Sequence, residues 1–353
     1  MRESMRHMLS AHRLNQRGTA LTMLVGVAIL LELAAGTGLA YLAGFSQVRH
    51  VLANFDWPWL LGLFGALILS FAGYYYAYRG IFRVDGGPTL ARKQMRAVVA
   101  AGFGGFLAHG GGALDEYALE GAGADEQEAK ARVSGLGGME HGVLAIGGTA
   151  AAIAVLAAGR SQPPMDFTLP WAIIPIPGFL IAFWLAERHR ASFRGRSGWR
   201  GALGTFLESI HLIRELFVNP RRWWPALAGM AVFWATDAFA AWSGMATFGF
   251  RMNAAALFVG FATGMVFTRR TGPLAGAGVL ALVLPLTIWY SGAPFAVAVV
   301  GVFAYRILAL LLPMPVSLAA LPTLRAMGER REPHAEGIAE EPSGEPSLQR
   351  RSA

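Results

Sequence analysis

Cysteine is absent from all 353 residues. That removes disulfides, thiolate metal sites and cysteine nucleophiles. Charge is scarce too, at 15% of the chain, against about 25% in soluble domains. Several catalytic signatures are missing. The run from His109 to Gly112 resembles an oxyanion-hole segment, yet no Gly-x-Ser-x-Gly elbow accompanies it. There is no phosphate-binding P-loop, no dinucleotide fingerprint and no paired-histidine zinc motif. No enzymatic activity and no cofactor are expected, and any transport must run downhill or on a gradient rather than on ATP.

What the chain has in abundance is apolar sequence. Hydrophobic residues reach 54%, above the roughly 45–50% of soluble domains. They come in blocks able to cross a hydrocarbon core about 30 Å thick, which takes about 20 helical residues. Full spans are predicted near residues 20–44, 58–78, 139–159, 167–186, 225–248, 273–291 and 295–322. The last block holds Pro313 and Pro315 and is either kinked or divided. The first is too long for a cleavable signal and reads as a retained helix. The fold class is therefore all-α, a polytopic helical membrane protein.

Two further apolar segments are short and broken by glycine. Residues 97–112 (AVVAAGFGGFLAHGGG) close on Asp115 and Glu116, whereas residues 254–268 (AAALFVGFATGMVFT) close on Arg269 and Arg270. In polytopic membrane proteins such a matched pair points to the substrate site, because irregular backbone at membrane depth is tolerated only where it lines a cavity.

Arginine in the short loops sets the orientation. Arg2, Arg6, Arg13 and Arg17 precede the first span; Arg79, Arg83, Arg92, Lys93 and Arg96 follow the second; Arg188, Arg190, Arg194, Arg196 and Arg200 follow the fourth. These belong in the cytoplasm, together with the N-terminus. The intervening loops hold only Arg49, Arg160 and Arg251. The net charge of +8 is thus a topology signal, and no nucleic-acid partner is expected. A full crossing by residues 97–112 would put the basic stretch 188–200 outside, so this segment is predicted to re-enter from the cytoplasm. The second short segment starts from the opposite face, giving the pattern of an inverted repeat. Parity leaves open whether residues 254–270 cross once or the last block divides.

Outside the spans, residues 1–19 form a cytoplasmic tail and residues 326–353, rich in Glu, Arg, Pro and Ser, read as a disordered one. Between residues 201 and 218, Leu203, Phe206, Leu207, Ile210, Ile213 and Phe217 recur at helical spacing opposite Glu208, His211 and Glu215. This predicts an amphipathic helix on the cytoplasmic interface. Trp223 and Trp224 suit an interfacial aromatic belt.

The string RRTGPLAGAG at 269–278, followed by AYRILALLLP at 304–313, resembles the C-terminal signature of the lysylphosphatidylglycerol synthase transmembrane family, flippase-like bacterial membrane proteins. Arg79, the short glycine segment ending at Asp115 and Glu116, and the stretch leading to Glu140 agree in layout, so the resemblance covers roughly residues 20–325. It departs at Ala281, where family members commonly carry glutamate, and by about one residue in the spacing from Pro273 to Gly276. The expected chain resembles the translocating half alone, without the soluble aminoacyl-transferase domain. It implies a bacterial cytoplasmic-membrane translocator of a phospholipid or lipid-linked headgroup. A non-transporting scaffold for a separate lipid synthase or glycosyltransferase is the alternative.

Ionisable groups inside a bilayer cost roughly 2.5–3.5 kcal/mol each on insertion scales and are functional candidates by default. Arg306 lies mid-block; with Arg269 and Arg270 it is a candidate ligand for lipid phosphate through planar paired donors. Its other expected role is an ion pair with Asp237 or Glu32. Asp115, Glu116, Glu140 and His141 form a second candidate group near the cytoplasmic mouth, suited to a cationic headgroup or to proton relay, or else to solvated loops and caps. Arg79 is either an interfacial anchor or a ligand, and His109 a further candidate for the cavity wall.

Overall fold

The computed structural model describes residues 30–105, 111–193, 196–266 and 279–313, with 315–316, 319–320 and 322–323. Both expected tails, His109, and the segment holding Arg269, Arg270, Pro273 and Gly276 lie outside the described residues. Among those described there are helices and no strand. In chain order they are α1 (Leu30–Ala43), α2 (Phe45–Ala53), α3 (Trp57–Ile81), α4 (Arg92–Gly105), α5 (Gly111–Gly121), α6 (Glu126–Ala157), α7 (Met165–Ile173), α8 (Pro175–Phe193), α9 (Gly198–Val218), α10 (Pro220–Ala246), α11 (Ala254–Val266), α12 (Leu280–Tyr290) and α13 (Phe295–Leu311).

Local chemistry explains where these helices start. Pro58 and Pro220 stand in the first turns of α3 and α10, where a missing N–H costs nothing and the ring preorganises the backbone. The Asp125 side chain accepts from the Glu128 amide at 2.7 Å and caps α6, with Glu126 and Glu128 in the positive first turn. The helix therefore begins thirteen residues ahead of the span predicted at 139.

Three helical runs are long and apolar enough to cross a membrane: Trp57–Ile81, Glu126–Ala157 and Met165–Phe193, the last being α7 and α8 together. They correspond to three of the seven expected spans. α1, α11, α12 and α13 are shorter apolar helices, and α10 is long but less apolar. The surface is compatible with a membrane. Ile173, Leu180, Ile181 and Trp184 stand exposed on α7 and α8, with Ile174 between them, an exposed apolar patch of the kind that marks a membrane or protein contact.

The core centres on α10, which packs against α3, α6 and α13. A Cβ built on Gly73 would lie 2.5 Å from the Gly229 carbonyl oxygen, and one on Gly229 equally close to that of Gly73. Backbone meets backbone here, the close approach that small residues permit in membranes. Gly62 faces Ser243 and Gly80 faces Ala226, so α3 and α10 run antiparallel. α10 meets α13 in the same manner, through Gly244 and Gly301.

Each member of this antiparallel pair is followed by two short helices packed on each other, α4 on α5 and α11 on α12. In the second pair Gly260 faces Ser291 while Gly264 faces Leu284 and Thr287, so α11 and α12 run in opposite directions.

The expected amphipathic helix forms as α9, but its polar face is divided: Glu208 and Glu215 are half-exposed while His211 is buried. Packed between α6 and α8, it buries His211 along with Leu207, Ile210 and Ile213, and leaves Phe206 exposed. Trp223 also departs from the expected belt: it is buried, while Trp224 is exposed.

Candidate functional site: two buried carboxyls on a tyrosine pair

Tyr74 and Tyr78 are four residues apart on α3 and so share one face of the helix. Their rings meet edge to face with centroids 4.9 Å apart. Tyr78 donates its hydroxyl to Asp115 Oδ2 at 2.6 Å, and the Tyr74 hydroxyl is bonded to Glu140 Oε1. Asp115 is 1% exposed and Glu140 0%. Three elements, α3, α5 and α6, therefore bring two carboxyl groups to one pair of phenols inside the protein.

The walls are aromatic. Tyr74 packs on Phe233 at 4.8 Å, Phe233 on Trp234 at 4.9 Å, and Trp234 on Phe261 at 6.1 Å. The Trp234 indole N–H donates to the Glu140 backbone carbonyl at 2.8 Å. That bond ties α10 to α6 at the very residue that carries the buried carboxyl. Asp237, one turn further along α10, is buried as well. A carboxylate deprived of water needs donors, a cation or a proton, and phenol and indole N–H groups are donors with large apolar bodies.

Of the four residues expected at the cytoplasmic mouth, the structure brings Asp115 and Glu140 together and separates the other two. Neither of this pair is a solvated loop residue; both are core. Glu116 is half-buried and faces Lys130, Glu120 and Glu126. Lys130 is bonded to Glu126 at 2.5 Å. His141 is half-buried, its Nδ1 2.7 Å from the Gly137 carbonyl of the preceding turn. Arg79 is half-buried in the last turn of α3, where a cation suits the negative end of the helix dipole.

Arg306 takes the other of its two expected roles. Its Nη2 is paired with Glu32 Oε1 of α1, and both side chains are at least nine-tenths buried. The contact of Gly36 with Phe303 docks α1 on α13 beside the pair. Arg306 as it stands thus serves a carboxylate of its own chain.

Sequence reading passed over Arg132, which is 3% exposed. From α6 it donates to the carbonyls of Ile81, Phe82 and Val84 at 3.2, 3.1 and 2.9 Å. Its Nε and Nη2 bond Glu128. The Ile81 and Phe82 carbonyls close α3, where helix acceptors lack an intrahelical donor, and Val84 follows in the loop, where its carbonyl also accepts from the Gly87 amide; a guanidinium satisfies several acceptors at once. The i,i+4 spacing of Glu128 and Arg132 was the available signal.

No family model matches the chain, and no curated protein matches it either.

Proposed function

We propose that this protein translocates a lipid with a polar headgroup across the bacterial cytoplasmic membrane, using the Asp115 and Glu140 carboxyls as the polar station inside the bundle. The observation that carries the reading is the burial of both carboxyls on the tyrosine pair. Ionisable groups at such depth are costly and are retained where they serve a pathway. A cationic headgroup or a proton is the species two carboxyls would receive.

The architecture supports the same reading. Two helices crossing antiparallel, each followed by a short helical pair, form the arrangement of an inverted repeat, whose halves enclose a site near the midplane. In this reading the chain has seven full spans, a cytoplasmic N-terminus and two re-entrant or broken segments. Arg269 and Arg270 remain the proposed phosphate ligands, as the resemblance to the flippase-like family suggests. Arg306 is reassigned to holding α1.

The test is translocation of a headgroup-labelled phospholipid in proteoliposomes. Asp115→Asn with Glu140→Gln is expected to abolish transport while the protein still assembles, and Arg269→Ala with Arg270→Ala to weaken it. Transport at the wild-type rate by the first double variant removes the assignment of the carboxyls. Wild-type protein that moves no lipid but copurifies with a lipid synthase or glycosyltransferase is instead a scaffold.

A further inference from the structure

Away from the tyrosine pair, His211 of α9 lies between carboxylates from two other elements. Its Nε2 is 3.3 Å from Asp85 Oδ2, in the loop that follows α3, and its Nδ1 is 3.7 Å from Glu187 Oε2 of α8. The imidazole is buried while Asp85 and Glu187 are half-exposed. We propose that His211 is a proton-operated clasp that holds the loop after α3 against α8 and α9 when it is protonated and releases that loop when it is neutral.

Protonation sets the sign of both contacts. A neutral imidazole carries one N–H, and its second nitrogen presents a lone pair. With a carboxylate opposite each nitrogen, one of the two contacts is then repulsive. At 3.3 and 3.7 Å the two contacts are ion-pair distances, so only the imidazolium attracts both carboxylates, and imidazole is the side chain whose ordinary titration falls between roughly pH 5 and 8.

The neighbouring charges leave this role to His211. Arg214 Nη1 lies 3.4 Å from Glu187, and Arg190 of α8 lies 3.6 Å from Glu208 of α9. From α6, Arg132 spends its charge on Glu128 and the backbone carbonyls. From α10, Arg221 and Arg222 stand in the exposed first turn. Asp85 is the arm that depends most on the histidine.

The Asp85 backbone adds a second observation. Its φ of 51° and ψ of 38° lie in the left-handed region, which residues other than glycine adopt uncommonly. Such conformations persist only where the surroundings over-determine them, and they concentrate at switches. Arg132 fixes the carbonyls on one side of Asp85 and His211 fixes its carboxylate on the other. Losing one of those two holds lets the loop relax.

The chain has no cysteine, so Thr89→Cys and Ser192→Cys place two spin labels specifically, one in the loop that follows α3 and one on α8. In the full-length protein in nanodiscs, a single short distance is expected at pH 5.5. At pH 8.5 part of that population is lost to longer distances. In His211→Gln the long component is expected at both pH values. Identical distributions at the two pH values in the otherwise wild-type protein overturn the clasp, as does a His211→Gln variant that keeps the pH response. Should that variant fail to assemble, Asp85→Asn, on a half-exposed side chain, is read by the same criteria. None of these measurements depends on transport.

Discussion

Tyr78 donates its phenolic O–H to Asp115 across 2.6 Å, from a core helix to the second member of a short helical pair. The bond reaches from α3 to α5, so it anchors the short pair as well as the carboxyl. Tyr78→Phe removes the donor and leaves a buried carboxyl without it, a loss of about 1–3 kcal/mol. Adding Asp115→Asn to Tyr78→Phe is expected to cost less than the sum of the two single changes. Thermal unfolding in detergent across the four-protein cycle checks this; strict additivity would mean the two side chains do not interact.

Removing either member of the Glu32 and Arg306 pair strands the other charge in an apolar interior. Glu32→Gln or Arg306→Gln should each cost about 3–5 kcal/mol, whereas replacing both with methionine should be far milder. The readout is the midpoint of unfolding, together with proteolytic release of α1. Equal damage from the single and double changes would contradict the pairing.

The glycines of α3 divide sharply by what surrounds them. Gly73→Ala drives a methyl into the Gly229 carbonyl, and a backbone atom cannot rotate aside. A loss of at least about 1–3 kcal/mol is expected from overpacking, seen as a lower yield of folded protein. Gly65 has open space around its Cβ direction, and Gly65→Ala is expected to be neutral or to gain up to about 1 kcal/mol from helix propensity. The contrast between the two substitutions is the test.

Arg132→Lys keeps the charge and discards the planar fork. An ammonium cannot reproduce the set of bonds to Ile81, Phe82, Val84 and Glu128, so faster amide exchange is expected over the residues after α3. Unchanged exchange there would show that the carbonyls find other donors.

The helical class, three long apolar runs and the short helices α4 and α11 were legible because apolar block length and glycine interruption are local properties. Their partners were not, since no helix was expected over 111–121 and residues 273–291 read as a full span where α12 covers only Leu280–Tyr290. Asp115 and Glu140 were legible as a pair but not as core. Their depth depends on Tyr74 and Tyr78, and a tyrosine on an apolar helix reads equally as core filler or as donor. The start of α6 was missed because hydropathy rises only at Met139, although the Asp125 cap and its acidic first turn mark the beginning. His211 was read as solvent-facing on an amphipathic pattern, yet α9 has neighbours on more than one side. Periodicity reports that a helix has two faces; it does not report how many partners claim them.

The Gly73 and Gly229 contact has a mechanical side. Bare backbone at this point lets the two helices come close enough for Tyr74 of α3 to seat its ring on Phe233 of α10. Any change in the tilt of α3 against α10 therefore moves the tyrosine bonded to the Glu140 carboxyl, so the glycine crossing and the polar station are mechanically one unit.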